Sequence, residues 1–410
     1  MRAAVLACVL LGCAPPAAER CAALKEALGA CFGEDLSPET CRQLSDTDVE
    51  NLTKLGRDFD CAGRGSAIPI DGDLVASTCR LTGIGCVAAL NPDPSYGPAQ
   101  YPFLLVNGID SSPLFHWSSR IVDLMRGAGG HTVFLAIDAP YGAPRDRARD
   151  LWRRIQEVRQ QTQAPKVNLI CHSLGGLDCR YLASPAGLSE DLGIEHWEIA
   201  SAIASITTVS TAHHGTRAAD LALEDLPDDQ AGAALDRVAN LFGDAFTAAS
   251  LRQDAHLRAS LLAISTSETK AFNALITDDP GIYYQSWAGY AAPGGEPPLD
   301  GQGLVEELCG DDEARALGDA QGRYDYLALP LVPSYSMVGA ENPDYPGRFV
   351  PNDGLVTVAS ARWTNFRGCI PADHMEQLGQ LRLPDVNVRT GFDVARFYAA
   401  MAAELAQRGF

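Results

Sequence analysis

Short apolar runs alternate with longer amphipathic stretches along the chain from about residue 101 onward. Four runs are apolar along nearly their whole length, at residues 101–108, 131–138, 166–173 and 203–211. Continuous apolar runs of this length are typical of parallel strands that are buried on both faces of a sheet. The segments between them, such as APRDRARDLWRRIQEVRQQTQ, have helical spacing. This order predicts an α/β fold in which a mostly parallel sheet carries helices on both faces.

The chain before residue 98 follows a different pattern, which cysteines dominate. Of the twelve cysteines, setting aside Cys8 and Cys13 leaves ten, and six of these fall before residue 90. An even cluster of cysteines in an exported chain predicts a disulfide framework, which would staple the partly helical residues 14–97. A zinc site is less favoured, because this segment has no Cys-x-x-Cys pair and no histidine. The six cysteines are Cys21, Cys31, Cys41, Cys61, Cys79 and Cys86.

The first thirteen residues, MRAAVLACVLLGC, are typical of an export signal. One basic residue precedes a short apolar run, and Leu10-Leu11-Gly12-Cys13 is similar to a bacterial lipobox, in which the cysteine is lipidated. The alternative is a plain secretory signal that is cleaved a few residues later. Both interpretations predict an exported bacterial protein, either secreted or anchored as an outer-membrane lipoprotein. The turn-rich residues 91–100 predict a linker to a second domain at 98–410.

Composition and charge limit the function classes. The 410 residues are 46% hydrophobic and 20% charged, which supplies a full core and excludes a largely disordered chain. The formal net charge is −20. Such an acidic surface repels phosphate backbones and anionic membranes, so we expect no nucleic acid among the partners.

The stretch VNLICHSLGGLDCRYLAS, residues 167–184, has the outline of a nucleophile elbow, with a strand, a sharp turn at Ser173 and a helix. Cys171 stands where the usual G-x-S-x-G pattern has its first glycine. Cysteine is small and commonly buried, so the turn still fits. Strand alternation points the Cys171 thiol into the packing, which makes it a poorer nucleophile than Ser173. A Cys171–Cys179 disulfide, a metal site that adds His172, and an ordinary strand–turn–helix are the weaker alternatives.

The partners of an elbow serine follow in the order acid, then histidine. Asp353 lies in a turn after the strand-like YSMVG, and His374 lies in a loop before a helix. The acid would orient the imidazole, which would take the hydroxyl proton. Asp353 could equally be an ordinary turn residue, and His374 a neighbour of a helix cap. The oxyanion hole should combine the backbone N–H groups of Leu174 and Ile109.

Seven segments together resemble the bacterial family I triacylglycerol lipases, the secreted, foldase-dependent group. This resemblance implies an α/β-hydrolase fold for residues 100–400, a catalytic triad of Ser173, Asp353 and His374, and oxyanion donors at Ile109 and Leu174. It also implies a lipid or ester substrate and a foldase chaperone as a partner. The segments are YPFLLVNGIDSS, KVNLICHSLGGLDCRYLAS, ASITTVSTAHHGTRAADL, YYQSWAGY, YSMVGAE, NDGLVTVAS and DHMEQLGQL.

This chain departs from the family pattern at several positions. Asn107-Gly108 replaces His-Gly in the oxyanion loop, Cys171 replaces a glycine, and the family's TPHRG is TAHHG here. The two histidines of that segment, His213 and His214, are interpreted as structural.

The resemblance also implies a structural Ca²⁺ near the loop of the catalytic histidine. Its candidate ligands here are Glu376, Gln380 and Asp344, with glutamate in place of the family's aspartate at 376. No cofactor is expected for the chemistry itself.

The family position also implies a lid over about residues 217–262. One face of a predicted helix in this region is apolar, and Cys309 and Cys369 are a candidate disulfide beside the acid and base regions. The apolar face comprises Leu235, Val238, Phe242, Phe246 and Ala249.

These features predict an exported serine ester hydrolase, a lipase that cleaves acylglycerol esters through an acyl-enzyme. Short-chain esterases, polyester depolymerases and acyltransferases use the same triad and are the alternatives among enzymes. A lipoprotein that keeps the hydrolase fold as a non-catalytic binding module is the alternative from another class.

Overall fold

Two compact units divide the chain: residues 1–91 with 388–391, and residues 92–387 with 392–410. The predicted export signal, the cysteine framework, and the apolar helix face at 235–249 lie outside the described residues, and the predicted boundary near residue 97 stays a prediction. The computed structural model describes residues 97–109, 116–136, 139–223, 255–301, 303–309, 324–340, 342, 344–379, 390 and 392–410.

A six-stranded parallel sheet organises the second unit, with the strand order β2-β1-β3-β4-β5-β8. All four predicted strands are present. Strand β5 was not predicted, because polar residues such as Gln285 interrupt its apolar pattern; the Gln285 amide donates to Thr207 Oγ1 on β4 at 2.9 Å. The strands are β1 Phe103–Val106, β2 Val133–Leu135, β3 Val167–His172, β4 Ile203–Val209, β5 Tyr283–Gly289, β6 Ala291–Ala292, β7 Asp325–Tyr326 and β8 Phe366–Ile370.

The helices of the described residues are mostly amphipathic. Helix α2 buries Ala148, Leu151, Ile155 and Val158, which recur at helical spacing. None of these helices has the length and apolar composition that crossing a bilayer requires. The helices are α1 Ser119–Gly129, α2 Pro144–Thr162, α3 Gly175–Ala183, α4 Leu188–Leu192, α5 His196–Ala200, α6 Arg217–Leu223, α7 Ala255–Ala263, α8 Thr266–Leu275, α9 Leu304–Leu308, α10 Val332–Ala340, α11 Val358–Ala361 and α12 Val394–Gln407.

The core forms two layers, one on each face of the sheet. Phe103 and Leu105 of β1 pack in one apolar cluster, which includes residues of α1 and α12. Leu104 and Val106 pack in the other cluster, with residues of α2 and α3. Successive side chains of a strand point to opposite faces, so a strand covered by helices on both faces must be apolar throughout. The α/β-hydrolase fold expected from the sequence is therefore confirmed.

One predicted element was wrong. The segment YSMVG, read as strand-like, lies inside α10. Its buried positions are Ser334, Tyr335, Val338 and Gly339, two adjacent pairs four residues apart, which is a helical and not a strand period. A five-residue window was too short to separate the two periods.

Two disulfides are formed among the described residues. Cys309, at the end of α9, bonds Cys369 in β8, the strand that leads to the His374 loop, as the sequence suggested. Cys171 bonds Cys179 in α3, which corrects the low weight given to that pairing. The Cys171 sulfur is thus neither a free thiol nor a metal ligand, and it packs in the core layer next to α2 and α3.

Candidate active site

The turn at Ser173 is held in a strained backbone conformation directly after β3. Ser173 has φ of 55°, in the left-handed region that side chains disfavour. Gly175 allows the next turn of chain to approach the loop at 107, because a Cβ on Gly175 would lie 2.5 Å from the Asn107 carbonyl oxygen. The Ser173 N–H donates to the Val209 carbonyl at 3.0 Å, which ties the turn to β4. This is the geometry of a nucleophile elbow, with a cysteine in place of one glycine.

The structure brings Ser173, His374 and Asp353 together in one hydrogen-bonded line. His374 Nε2 lies 2.9 Å from Ser173 Oγ, and His374 Nδ1 lies 2.8 Å from Asp353 Oδ2. A carboxylate only accepts hydrogen bonds, so the proton of the neutral imidazole is assigned to Nδ1. Nε2 is then free to accept the hydroxyl proton of Ser173. All three side chains are near the carboxyl ends of the strands.

The Asp353 carboxylate is fully buried and receives several donors. Its Oδ1 accepts from the N–H groups of Leu355 at 3.0 Å and Val356 at 2.8 Å. Burial, the largest influence, raises the pKa of Asp353, but the His374 charge and the hydrogen bonds from His374, Val356 and Leu355 outweigh it and hold this pKa below its usual range. Asp353 is therefore ionised at neutral pH.

The loop that carries the acid is fixed by its neighbours. The Ala291 N–H donates to the Asn352 carbonyl at 3.0 Å, which attaches the loop to β6, and the His374 N–H donates to the Asp353 carbonyl at 3.0 Å. Gly354 has φ of 96° and packs against Leu331, a conformation that favours glycine. The predicted Asn-Asp-Gly turn is thus present, and it also positions the acid.

The loop at 107–109 lies against the nucleophile. A Cβ on Gly108 would lie 2.6 Å from the Ser173 Cβ, so only glycine fits there. Arg147 Nη2 donates to the carbonyl oxygens of Asn107 at 2.9 Å and Gly108 at 3.0 Å. In a trans peptide the C=O and N–H groups point in opposite directions. By holding the Gly108 carbonyl, Arg147 therefore directs the Ile109 N–H away from itself.

A second carbonyl is held in the same manner at the elbow. The Ser173 carbonyl accepts from Thr211 Oγ1 at 2.8 Å and from the Gly176 N–H at 3.0 Å. The N–H of Leu174 shares that peptide and so points the opposite way. The proposed donor at Leu174 is thus oriented by a side chain from the segment after β4.

Arg147 and Thr211 were not identified from the sequence. Arg147 is one of six arginines in α2, and nothing in their spacing distinguishes the one that is buried. Thr211 precedes the two histidines that attracted attention. Of these, His213 Nε2 lies 2.9 Å from Thr208 Oγ1 and its ring stacks on Trp363, as a structural residue would. His214 is exposed.

Arg147 also forms a buried ion pair with Asp178 in α3. Arg147 Nε donates to Asp178 Oδ2 at 2.7 Å, and both side chains are almost fully buried. Burial raises the pKa of Asp178 to about 6, although the Arg147 charge and hydrogen bond oppose this. Through Arg147, the pair therefore joins the loop at 107–109 to α3, and burying the two charges costs desolvation free energy.

Replacing Arg147 should destabilise the fold strongly. We expect Arg147→Met to lower the free energy of unfolding by about 3–5 kcal/mol, because it leaves the Asp178 carboxylate buried without its partner. Adding Asp178→Leu to that variant should restore about 1–2 kcal/mol of the free energy of unfolding, because it removes the unpaired charge. The recovery is only partial, because the carbonyls that Arg147 contacted still lack their donor. Urea unfolding at pH 7 measures both variants. A double variant that is less stable than Arg147→Met would contradict this account.

The calcium ligands suggested by the resemblance are only partly described. Glu376 is buried beside Asp373, whose N–H lies 3.4 Å from Glu376 Oε2, whereas Asp344 is exposed. Gln380 lies outside the described residues. Within the described ranges, no group of three or more His, Cys, Asp or Glu side chains could hold a metal ion.

Asp373 is the other acid next to the base. Its carboxylate accepts from the N–H groups of Ala328, Met375 and Glu376 and does not reach the His374 ring nitrogens that Asp353 and Ser173 contact. Burial raises the pKa of Asp373 to about 6 against the effect of these donors. Asp373 therefore shapes the loop and does not replace Asp353.

Known proteins similar to this chain include triacylglycerol lipases. A triacylglycerol lipase of Burkholderia plantarii is 30% identical over 208 residues, which are 48% of this chain and 54% of that protein. A triacylglycerol lipase of Pseudarthrobacter phenanthrenivorans is 30% identical over 188 residues, which are 44% of this chain and 54% of that protein. This chain thus spans about half the length of the curated relatives it matches. No family model matches it.

Among solved structures, the Staphylococcus hyicus lipase is similar with a TM-score of 0.49 and 15% identity, covering 77% of this chain and 97% of that one. The strand order, the elbow and the curated relatives together describe a protein with an α/β-hydrolase fold whose sequence is similar, over about half of its length, to triacylglycerol lipases.

Proposed function

We propose that this chain is a carboxylic ester hydrolase in which Ser173 is the nucleophile, His374 the general base and acid, and Asp353 the residue that orients His374. The observation that carries the proposal is the unbroken hydrogen-bonded line from Ser173 Oγ through His374 to Asp353. An isolated serine hydroxyl is a weak nucleophile at neutral pH, and an adjacent base that takes its proton activates it. The strained elbow presents that hydroxyl at the carboxyl edge of the sheet.

The reaction follows from the proton positions. Ser173 Oγ bonds to the ester carbonyl carbon while its proton moves to His374 Nε2. The imidazolium then donates this proton to the leaving alcohol oxygen, and the acyl group stays on Ser173. A water oxygen then bonds to the acyl carbon while His374 takes a proton from that water. The resulting tetrahedral intermediate collapses as the bond from the acyl carbon to Ser173 Oγ breaks and His374 returns the proton to Oγ, which releases the carboxylic acid. Asp353 remains ionised and stabilises the imidazolium in both steps.

The negative oxygen that develops on the carbonyl needs donors. We assign the N–H groups of Ile109 and Leu174 to this role, supported by the carbonyls that Arg147 and Thr211 hold on the opposite sides of the two peptides. Such N–H groups already point to the place where the negative charge develops, so they need not move during the reaction. Removing one of them lowers kcat by roughly 10²–10³-fold in enzymes of this kind.

The substrate class we propose is the acylglycerol esters, on the basis of the relatives named triacylglycerol lipase. A lipase should turn over emulsified long-chain triacylglycerols at rates comparable to those for soluble short-chain esters. Comparing chain lengths on emulsified and soluble substrates checks this assignment, and activity confined to soluble short-chain esters would contradict it.

Labelling by a fluorophosphonate probe tests the proposed chemistry itself. The activated hydroxyl should attack the probe phosphorus and displace fluoride, which leaves a stable phosphonyl adduct that peptide mass spectrometry should locate on Ser173. Heat-denatured protein is the control, because unfolding separates Ser173 from His374. A folded protein that stays unlabelled would contradict the proposal and favour a non-catalytic binding role.

Further features are proposed from the sequence alone. Export through the N-terminal signal with lipidation at Cys13 predicts that palmitate is incorporated into the protein and lost in Cys13→Ser. A foldase partner predicts that active protein forms only when the foldase is co-expressed.

Calcium binding through Glu376 predicts that chelation lowers the Tm. A lid over 217–262 predicts activation by emulsified substrate. The reaction steps above depend on none of these four.

A further inference from the structure

The side chain of Gln377 lies between the triad acid and a second buried histidine. Gln377 Nε2 donates to Asp353 Oδ2 at 3.1 Å, which is the same oxygen that accepts from His374. Gln377 Oε1 lies 3.2 Å from His172 Nε2. Gln377 is fully buried, on the short 3₁₀ helix Glu376–Leu378 that follows His374. The amide therefore joins Asp353 to the residue that precedes the nucleophile.

The surroundings allow only one orientation of this amide. The position of Nε2 faces two acceptors, Asp353 Oδ2 at 3.1 Å and the Ala372 carbonyl oxygen at 3.3 Å. Rotating the amide by half a turn would place its oxygen against both of them. The nitrogen is thus directed to Asp353, and the oxygen must face His172.

His172 completes the line as a neutral donor. Burial is the main reason that the pKa of His172 falls to about 3, and the nearby His374 lowers it further. Because Gln377 Oε1 only accepts, the single ring proton of His172 is assigned to Nε2. The His172 ring also packs against that of His374, with 4.6 Å between the centroids. His172 therefore supports the base by contact and the acid through Gln377.

The fold leaves room for this amide at the end of β5. A Cβ on Gly289 would fall onto Gln377 Nε2 and would also lie 2.7 Å from the Ala372 carbonyl oxygen. Any side chain at 289 would therefore move the amide or the loop before His374. The space above Gly289, the acceptors on Asp353 and Ala372, and the donor on His172 thus all favour the same position of the Gln377 side chain.

We propose that Gln377 is a positioning residue for the hydrolytic reaction, which holds Asp353 Oδ2 in line with His374 Nδ1 while His172 fixes the amide. The proposal rests on the proposed function. The Asp353 carboxylate can rotate about its Cβ–Cγ bond, and two backbone N–H groups hold its Oδ1. On the Oδ2 side, the donors are His374, which changes protonation during the reaction, and Gln377, which does not. Gln377 therefore keeps the carboxylate in place while His374 gains and loses its proton.

The test is Gln377→Met, which keeps the length of the side chain and removes its donor and acceptor. The matched control is Gln285→Met, the same substitution at a buried glutamine of β5 that bonds Thr207 and not the triad. We expect kcat on a soluble p-nitrophenyl ester to fall roughly 10- to 100-fold in Gln377→Met, with KM within about twofold, since misplacing a catalytic group slows chemistry more than binding. The rate of fluorophosphonate labelling of Ser173 should fall by the same factor. Gln285→Met should keep its kcat and its labelling rate.

The outcomes separate this inference from the proposed function. If Gln377→Met keeps kcat within threefold while the wild type is labelled at Ser173, the positioning role is wrong and the hydrolase proposal stands. An equal loss in Gln285→Met would also overturn it, because the effect would then belong to any buried amide. If the wild type is not labelled, the proposed function itself has failed.

A second variant covers the case in which Gln377→Met does not fold. His172→Phe keeps an aromatic ring against His374 but removes the donor to Gln377 Oε1, so kcat should fall by roughly three- to tenfold with KM unchanged. An unchanged kcat in this variant would overturn the part of the proposal in which the hydrogen bond from His172 fixes the Gln377 amide.

Discussion

Ser173→Ala should lower kcat on p-nitrophenyl esters by roughly 10⁶-fold, the size of effect seen when a serine-triad nucleophile is removed. Within the part of the chain that the structure describes, the hydroxyl that contacts His374 Nε2 is that of Ser173, at 2.9 Å. The substitution leaves the backbone donors of the turn in place, so the remaining turnover should reflect oxyanion stabilisation and binding alone. Initial rates with active-site titration of the wild type measure this change.

The control for this result is a buried serine at the other end of the sheet. Ser189 in α4 precedes β4 and contacts His196. Ser189→Ala should keep kcat within about twofold, and the circular dichroism and unfolding midpoint of Ser173→Ala should match the wild type. Turnover retained by a folded Ser173→Ala protein would remove Ser173 from the mechanism.

Asp353→Asn should lower kcat by roughly 10⁴-fold through the tautomer of His374. The backbone N–H groups of Leu355 and Val356 both point to Oδ1, so they will select the asparagine oxygen for that side. The amide NH₂ is then forced toward His374 Nδ1, where it donates. The ring proton moves to Nε2, and His374 can no longer accept the proton of Ser173.

Asp279→Asn is the matched control for this substitution. Asp279 also accepts a hydrogen bond from a histidine ring, His196 Nε2 at 2.6 Å, but it lies before β5, away from the carboxyl edge. Its replacement should leave kcat within about twofold. If both variants lose activity equally, or if Asp353→Asn keeps more than a tenth of the wild-type kcat, the role assigned to Asp353 is wrong.

The predicted strands were found because burial on both faces leaves a direct mark on the sequence. The run VNLICH in β3 is mostly apolar, since Val167, Leu169 and Cys171 enter one core layer and Ile170 enters the other. The elbow was recognisable for a related reason, because a strained turn and its close contacts require small residues at fixed offsets from Ser173. Local sterics of this kind can be read without any long-range information.

The residues that hold the triad and the two carbonyls in place could not be identified from local sequence patterns. Gln377, Arg147 and Thr211 act through contacts that span 24, 39 and 38 residues of sequence, respectively. Each sits in an ordinary local context: a loop, a charged helix and a polar strand end. Their importance depends on which acceptor lies opposite, and only packing decides that. The error at YSMVG has the same origin, since the face that α10 buries became visible only with its neighbours.

By itself, the sequence determined the parallel α/β architecture and the turn at Ser173, because these depend on local burial and backbone sterics. The tertiary structure decided that Cys171 pairs with Cys179, that Arg147 and Thr211 hold the two carbonyls, and that Gln377 joins His172 to Asp353. These are pairings between distant groups. A hydrogen bond or disulfide needs a partner within a few ångströms, and the folded chain alone specifies which groups come that close.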